Sequence, residues 1–535
     1  MMGTAISLSA TRSASNPWIV AAVVVVPAFM EVLDTTIAIV ALRYIVGGLS
    51  ATVDDGEWVI TSYLAANAII LPITGWLTAH LGRRNYFLLS IGVFTLSSGL
   101  CGIATNLGQL ILFRVAQGLA GGGMQPCSQG VLLDAFPRER QGAAMTLFGL
   151  AALIAPVLGP TLGGWITDHY SWRWVFFINV PVGILAFAAC YTVLEDPDYL
   201  KVEQAELKRQ PFQFDVTGLV LLVITVLCWE VVLSKGQEWD WLGDPFWRVQ
   251  TLLILFAAAL SGFIYWEMRQ SHPMVNLRPL GESNFRASCI IIFCTFAVLY
   301  GASSSLPALL QSLFGYDALN AGLVMSPAGL FAVATMPVIG YLLGRGMDAR
   351  WLIMTGLLIM AGGNYWMSQM NLSISPLQVV WPRVFIIMGL SMCFAPLNVA
   401  AYLYTPQKWR GAAVGLLSLL RNEGGSVGTS LAQTFHERLL QFHSLRLGED
   451  LDPLNPALHA FINQVKGAFL KQTGDPAMSR EMAVQSLANL RLQQASSLAY
   501  FDCFWLFAMV SLALVVSILF MKRSVAQKGG PLSAE

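Results

Sequence analysis

The chain is predicted to be an all-α integral membrane protein with fourteen transmembrane helices, and three observations lead to this prediction. Of its 535 residues, 56% are hydrophobic and only 12% are charged, and the mean hydropathy is +0.61. Its apolar runs repeatedly exceed the roughly 18 residues that indicate a membrane-spanning helix. Two polar stretches, 195–214 and 270–285, divide these runs into groups of six, two and six. The grouping predicts two six-helix halves around two inserted helices.

Apolar runs bounded by polar residues give the predicted spans. They are 18–40, 57–78, 86–105, 108–131, 141–166, 174–194, 215–234, 247–269, 286–310, 319–343, 351–370, 380–402, 411–435 and 499–521. The predicted domains are a cytoplasmic N-terminal tail, the N-terminal half, a linker with the two inserted helices, the C-terminal half and a cytoplasmic tail. Their ranges are 1–17, 18–194, 195–285, 286–521 and 522–535, and the C-terminal half includes an extracytoplasmic loop at 436–498.

The distribution of basic residues predicts the orientation. With both termini inside, the cytoplasmic segments hold most of the lysines and arginines, and few remain on the short outer loops: Arg43, Arg173, Lys235 and Arg248. This asymmetry follows the positive-inside rule, which exempts long translocated loops. The N-terminal segment leads into the first span without a small-residue cleavage site, so we expect an uncleaved signal anchor and a multi-pass protein.

Composition and motifs argue against several function classes. The net charge is zero and no long basic run occurs, so nothing indicates a nucleic-acid partner. The eight cysteines lie singly, Cys289 and Cys294 being the closest pair, which gives neither a metal-ligand spacing nor a disulfide framework. A phosphate-binding GxxxxGK[ST] loop is absent from the sequence. We therefore expect no enzyme, no metal and no cofactor.

Two carboxylates lie inside the first apolar span. Glu31 and Asp34 belong to MEVLDTT (30–36), and their spacing places them on one helix face. A charged side chain at bilayer depth costs about 2.5–3.5 kcal/mol or more. Neighbouring carboxylates cannot both ionise cheaply, which makes one proton exchangeable. The pair is predicted to couple protons, and Glu31 is the candidate to face a cavity; alternatively, Asp34 only bonds a neighbouring helix. Glu230, in the seventh span, is a third and weaker candidate because its helix belongs to the insert.

Three arginines also lie at membrane depth: Arg114, Arg383 and Arg421. Arg114 occurs in LFRVAQG of the fourth span and must be hydrated or paired, with a carboxylate as the obvious partner. A purely structural ion pair is the alternative to a functional role.

Glycine and proline dominate the fifth span. Pro156 and Pro160 remove backbone donors and should kink the helix. Four glycines let a neighbouring helix approach closely: Gly149, Gly159, Gly163 and Gly164. The pattern predicts a pliable contact between the halves, although ordinary small-residue packing would produce it too.

The loop after the second span, GWLTAHLGRR (75–84), predicts a tight cytoplasmic turn. Gly75 and Gly82 permit the turn, and Arg83 and Arg84 anchor it to the inner face. The same arginines could pair with acidic or carbonyl groups in one conformation only and so act as a conformational latch.

Two further regions carry predictions. Polar or aromatic residues of the central spans are candidates for a substrate cavity: Asn67, Gln117, Gln125, Tyr300, Gln311 and Asn398. In the 436–498 loop, apolar residues at helical spacing predict a short amphipathic helical hairpin outside the membrane, which either caps the protein or docks a partner.

The order of the motifs makes the chain resemble a known family. LDTTIAIVAL (33–42), GWLTAHLGRR (75–84), LILFRVAQGLAGG (110–122), APVLGPTLGG (155–164), WRWVFFINVPVG (172–183) and LLRNEGGSVGTSLA (419–432) follow one another. Together they resemble the fourteen-span drug:proton antiporters of the major facilitator superfamily, EmrB/QacA type, and most closely the EmrB group with its long loop before the last span. Ala79 departs from this pattern, because an aspartate is usual there.

The resemblance implies a major facilitator fold and a role in proton coupling for Asp34 and Arg114. It implies a multidrug:proton antiporter of the inner membrane that exports hydrophobic or amphipathic compounds by alternating access, with a periplasmic adaptor and an outer-membrane channel as partners. The alternatives are a dedicated exporter of an endogenous metabolite or siderophore and, from another class, a non-transporting scaffold or receptor. The span-five pattern, typical of exporters, argues against an importer.

Overall fold

In the computed structural model, twenty α-helices make up nearly all of the described chain, which comprises residues 16–137, 140–209, 215–270, 273–373, 375–406, 409–449, 451–452 and 454–524. The first ten are α1 (Pro17–Gly48), α2 (Val53–Gly56), α3 (Trp58–Leu81), α4 (Arg83–Ile103), α5 (Leu107–Gly121), α6 (Met124–Ala135), α7 (Gln141–His169), α8 (Trp174–Phe177), α9 (Asn179–Val193) and α10 (Asp198–Arg209). The others are α11 (Val216–Lys235), α12 (Arg248–Arg269), α13 (Ser283–Leu313), α14 (Ala318–Met325), α15 (Pro327–Gly344), α16 (Ala349–Ser368), α17 (Pro376–Leu403), α18 (Arg410–Glu449), α19 (Pro456–Thr473) and α20 (Pro476–Ser517). The predicted all-α class is confirmed, and the two predicted tails lie almost wholly outside the described residues.

The predicted spans all coincide with helices, but not all of these helices are apolar enough to identify a membrane span. Ten of the described helices are long and apolar enough, and an eleventh is added if α7 counts as one bent span. The remaining predicted spans, 108–131, 351–370 and 411–435, correspond to α5–α6, α16 and α18. Arg114 and Arg421 lower the apolar character of two of these helices. The count of fourteen stays a prediction.

Two groups of helices pack mainly among themselves. Helices α1 to α9 form one group and α13 to α18 with α20 form the other. The groups meet where α7 contacts α14, α15 and α17, and where α18 contacts α3 and α6. We call the end of the bundle that holds Gly82 the Gly82 end.

Helix α7 bends by 40° between Gln141–Pro156 and Leu158–His169, where Pro156 interrupts the backbone hydrogen bonding. Its glycines, however, do not all face the other group of helices. A side chain at Gly159 would overlap Thr36, and one at Gly163 would lie 3.3 Å from the Ile37 carbonyl oxygen, so both glycines pack on α1. Gly149 instead faces Phe394 of α17, whose ring would lie 2.6 Å from a Cβ at this position. Only part of the predicted glycine pattern therefore contacts the other group.

Helices α13 and α18 approach so closely that glycine is required in their contact. A Cβ at Gly424 would overlap the Phe293 carbonyl oxygen, and one at Gly428 would overlap that of Ala297. The spacing is the small-xxx-small pattern that lets two membrane helices pack backbone to backbone. Backbone atoms have no rotamer to change, so this contact cannot adapt to a larger residue.

Substitution of Gly424 by alanine should lower the free energy of unfolding by about 1–3 kcal/mol, the usual cost of overpacking. Gly467 of α19 is the matched control, because a Cβ there meets nothing within 4 Å. Its replacement by alanine should stabilise the helix by about 0.5–1 kcal/mol. Thermal unfolding of the purified protein in detergent compares the two; equal melting temperatures would contradict the close approach of α13 and α18.

The two inserted helices differ in position, because α11 packs into the bundle whereas α12 lies at its edge with most of its surface exposed. Helix α11 packs on both α3 and α18, and α12 packs on α11. Their connection is fixed by Asp244, whose carboxylate accepts the backbone N–H of Arg248 at 2.8 Å and its guanidinium at 3.1 Å. The Arg248 side chain lowers the pKa of Asp244 to about 2. The insert thus forms one wall of the bundle beside α18.

The 436–498 segment is helical, but its helices are longer than the predicted hairpin. Helix α18 continues to Glu449, and α20 runs without a break from Pro476 into the last span. The short helix α19 packs along α20. Its expected position outside the membrane stays a prediction.

Candidate functional site

A buried ion pair joins α1 to α5. The Arg114 guanidinium donates to the Asp34 carboxylate at 2.6 Å, and both side chains are fully buried. The expected carboxylate partner of Arg114 is therefore Asp34. Arg114 also donates to the Val59 carbonyl oxygen at 3.1 Å and lies over the Tyr63 ring, 4.1 Å from its centroid. Charge-assisted bonds and the ring face together hold the guanidinium, although its Nη2 has no hydrogen-bond partner among the described residues.

Two amides complete the environment of Asp34. Asn179 donates to its Oδ1 at 2.6 Å, and Gln117 donates to the same atom at 3.0 Å. Asn179 in turn contacts the Ser98 hydroxyl at 3.1 Å. Both carboxylate oxygens thus accept hydrogen bonds from donors on α5 or α9, as a buried anion requires.

Glu31 has a separate set of partners that faces the centre of the molecule. One of its oxygens accepts Asn67 at 3.0 Å and Tyr63 at 3.4 Å. The other accepts the side-chain amide of Gln125. Asp34 and Glu31 therefore do not share one set of donors, although both project from the same region of α1.

Gln125 connects Glu31 to the other group of helices. Its carbonyl oxygen accepts Arg421 of α18, so that Glu31, Gln125 and Arg421 form a chain across the contact between the two groups. A second bond crosses nearby, from Asn422 to the Asn67 side-chain oxygen at 3.3 Å. We call this set of five residues the bridge: Glu31, Asn67, Gln125, Arg421 and Asn422.

The bridge lies beside a small central cavity. The cavity has a volume of about 20 Å³, enough for little more than one water molecule. Its lining includes three of the predicted cavity residues, Asn67, Gln125 and Tyr300, together with Arg421. In this conformation the cavity is too small for a drug-sized compound.

Three predicted cavity residues lie elsewhere. Gln117 belongs to the network around Asp34. Asn398 is fully buried and donates to the Phe394 carbonyl oxygen of its own helix at 2.8 Å, and Gln311 is exposed near the end of α13. These residues were chosen because they are polar and lie within central spans. The sequence does not show which side of each helix faces the centre.

Several residues of the site were not predicted from the sequence. Asn179, Ser98 and Tyr63 were not singled out, although Asn179 lies within a quoted motif. The depth of Arg421 in its span was the signal that could have identified it. Arg383, the third such arginine, donates to Ser303 at 2.6 Å, and two of its nitrogens have no hydrogen-bond partner among the described residues.

The turn at the Gly82 end is held by contacts with other parts of the N-terminal group of helices. Gly82 has φ = 88°, a left-handed conformation that favours glycine. Arg83 is buried and paired with Asp134 of α6, and Arg84 donates to the Tyr191 carbonyl oxygen at 2.9 Å. The backbone N–H of Arg84 donates to Asp196 at 2.8 Å. Arg83 therefore contacts an acidic side chain and Arg84 a backbone carbonyl group, as the latch hypothesis requires. Whether these contacts break in another conformation stays a prediction.

Near the same turn, α3 and α18 touch through glycine. A Cβ at Gly75 would lie 3.1 Å from the backbone nitrogen of Ala412 and 3.1 Å from the carbonyl carbon of Gly411. Arg83, Asp134 and Val414 line the adjoining crevice. The Gly82 end is closed by this contact.

Replacement of Gly75 by valine should therefore favour a state in which the Gly82 end is open. Overpacking by about 1–3 kcal/mol would raise the open population on the order of tenfold. The measurement is the rate at which maleimide labels a cysteine introduced at the buried position Val414. Gly362→Val is the control, because a Cβ there meets nothing within 4 Å. An equal labelling rate in both variants would contradict closure through Gly75.

Comparison with known proteins identifies a family and several similar proteins. The family model described as Major Facilitator Superfamily matches residues 24–429. The multidrug export protein EmrB of Haemophilus influenzae is 36% identical over 495 residues, which cover 92% of this chain and 93% of that protein. EmrB of Escherichia coli K12 is 32% identical over 507 residues, 94% of each chain. The fatty acid resistance protein FarB of Neisseria gonorrhoeae is 36% identical over 431 residues, 81% of this chain and 83% of that protein.

A solved structure gives the same fold. The proton:xylose symporter XylE, bound to 6-bromo-6-deoxy-D-glucose, superposes with a TM-score of 0.58 over 94% of this chain and 95% of that chain. At 13% sequence identity, this similarity concerns the fold alone.

Proposed function

The chain belongs to the Major Facilitator Superfamily, and from that membership we propose that it is an EmrB-type exporter that moves hydrophobic or amphipathic compounds out of the cell in exchange for protons. It works by alternating access, in which the two groups of helices rock against each other around a central site. The proposed machinery is non-enzymatic: it binds and releases protons and substrate without covalent chemistry.

The observation that carries the proposal is the bridge. Glu31 is a buried carboxylate whose hydrogen-bond chain runs through Gln125 to Arg421, and so from one group of helices to the other. An ionisable residue inside a membrane bundle is a functional candidate, since it is costly to keep there. Because this carboxylate lies on the moving contact, its protonation state bears directly on the conformation.

The direction of the effect follows from hydrogen-bond chemistry. An ionised Glu31 only accepts hydrogen bonds, which suits the three donors around it. A protonated Glu31 gains an O–H donor, loses one acceptor position and no longer attracts Arg421. Proton binding therefore weakens the bridge, while proton release restores it. This couples a proton to the separation of the two groups of helices.

Asp34 and Arg114 have a different role in this scheme. Their network lies within one group of helices, so it keeps α1, α5 and α9 in fixed register beneath Glu31. In the proposal, Glu31 exchanges the proton and the ion pair holds it in place. Gly75, Gly82, Arg83 and Arg84 close the Gly82 end when the substrate site faces the other side.

The location and partners belong to the same proposal. The resemblance to EmrB proteins supports an inner-membrane position with both termini in the cytoplasm, which makes the Gly82 end cytoplasmic. It also supports a periplasmic adaptor and an outer-membrane channel as partners. Helices α18 and α20 extend well beyond the length of a span on the side where such an adaptor would lie.

The test is efflux of lipophilic dyes and drugs from proteoliposomes under an imposed pH gradient. Export that requires the gradient and stops when an ionophore collapses it would support the antiporter. Export that continues without the gradient would refute proton coupling, and export of no compound would refute the multidrug specificity.

A further inference from the structure

A large cavity lies away from the bridge, between the insert and the second group of helices. Its volume is about 800 Å³, compared with about 20 Å³ for the central cavity. Helices α11 and α12 form one wall, α18 forms the opposite wall, and residues 273–281 close one end. We call it the insert cavity. A volume of this size is typical of sites that bind a small organic molecule.

The walls of the insert cavity are mainly apolar and aromatic. Trp229 and Phe256 stack with their ring centroids 4.9 Å apart, and Leu260, Phe263 and Leu416 extend the surface. Such a lining suits the hydrophobic body of a ligand, because burial of apolar surface is the main favourable term.

Two carboxylates interrupt this apolar lining. Glu423 of α18 is only 8% exposed, and neither of its oxygens accepts a hydrogen bond of ordinary geometry among the described residues, although the Trp229 side chain lies near enough to interact with it. Glu267 of α12 is 4% exposed; one oxygen accepts the Val275 N–H at 3.3 Å, and the other has no partner in the described part of the chain. A third acid, Glu230, lies behind the wall and accepts the Ser426 hydroxyl at 3.1 Å. A buried carboxylate without a donor is costly unless a partner supplies the missing bonds.

From this combination we propose that the insert cavity binds a lipophilic cation, with its charge against Glu423 and its hydrophobic groups against Trp229 and Phe256. A cation satisfies the orphan carboxylate, whereas an acyl chain or a neutral lipid would leave it without a partner. An anion would be repelled by Glu423 and Glu267. Arg278 also lines the cavity, but it is exposed at the rim, and within the described ranges no ion pair joins it to either acid.

The insert cavity is distinct from the central site. Glu423 follows Arg421 and Asn422 on α18, but the helix turns it away from the bridge toward α11 and α12. Because α12 contributes its outer surface to the edge of the bundle, a compound dissolved in the bilayer can reach the cavity from the side. The proposal concerns binding and does not depend on proton-driven export.

The test is equilibrium binding of tetraphenylphosphonium to the purified full-length protein in nanodiscs of zwitterionic lipid, corrected with empty nanodiscs. Glu423→Gln keeps the side-chain shape but removes the charge, and should weaken binding by about tenfold or more. Leu260→Trp, which fills the cavity, should weaken binding as well and does not depend on the acid. Tetraphenylborate, an anion of the same shape, should show no saturable binding.

Glu437→Gln is the matched control, an acid of the same helix whose carboxylate already accepts Gln237 at 2.6 Å. It should leave binding unchanged. Three results would overturn the proposal: unchanged affinity in Glu423→Gln, unchanged affinity in Leu260→Trp, or equal binding of the anion. Loss of export with intact tetraphenylphosphonium binding would affect only the proposed function.

Discussion

Replacement of Arg114 by glutamine should abolish proton-coupled export and lower the free energy of unfolding by about 3–5 kcal/mol, the cost typical of breaking a buried ion pair on one side. Asp34 would stay fully buried with its strongest donor removed. The remaining amides, Asn179 and Gln117, both bond Oδ1, so Oδ2 would be left without a partner among the described residues. The measurements are thermal unfolding in detergent and gradient-driven efflux.

The surface pair between Arg438 and Asp240 provides the matched control. Its atoms are as close, at 2.6 Å, but the two side chains are 52% and 66% exposed. Arg438→Gln should change stability by no more than about 1 kcal/mol. If Arg114→Gln unfolds at the same temperature as Arg438→Gln, the buried pair does not have the assigned role.

A double variant separates stability from function. Replacing Asp34 by asparagine together with Arg114 by glutamine removes both charges and leaves a neutral hydrogen-bonded set. This change should recover much of the lost stability, since the two residues are in contact and their effects are not additive. Export should stay absent, because the charged support of the site is gone.

Replacement of Glu31 by glutamine should abolish gradient-driven export with little loss of stability. Glutamine retains one acceptor for the donors around Glu31 but cannot release a proton. We expect export under a pH gradient to fall on the order of a hundredfold, as when general acid–base groups are removed from other proteins. Substrate exchange without a gradient should persist, because it requires the moving contact but not the proton.

Efflux and exchange measured side by side in proteoliposomes test this expectation. The control is Glu437→Gln, an acid outside the bridge, which should export at the wild-type rate. Persistent gradient-driven export in Glu31→Gln would move the proton site to another acid, and loss of both activities would indicate a structural role for Glu31.

The fold could be predicted from the sequence because hydrophobic runs and turn residues report directly on membrane spans. The ion pair between Asp34 and Arg114 was also accessible, since a buried arginine needs an anion. What could not be predicted was the direction in which side chains point. Gln311 and Asn398 were assigned to the cavity by their position along a span, yet one is exposed and the other bonds its own helix.

Contacts between distant parts of the chain were likewise not predicted. Gln125 and Arg421 lie almost three hundred positions apart, and nothing local in either segment indicates that they meet. The insert cavity is a further example, because the sequence did not indicate that helix α11 packs on both α3 and α18.

The unbroken helices α18 and α20 have a mechanical consequence. With 40 and 42 residues, each is about 60 Å long, roughly twice the thickness of the hydrocarbon core. Each is therefore longer than a membrane span by about 30 Å. The end of α18 lies about 42 Å along the helix from Arg421, so each degree of rotation around the bridge displaces this tip by about 0.7 Å. These helices act as levers: a small rotation around the bridge becomes a displacement of several ångströms at the far end. A movement at the bridge is thus transmitted to any partner bound at the far ends of α18 and α20.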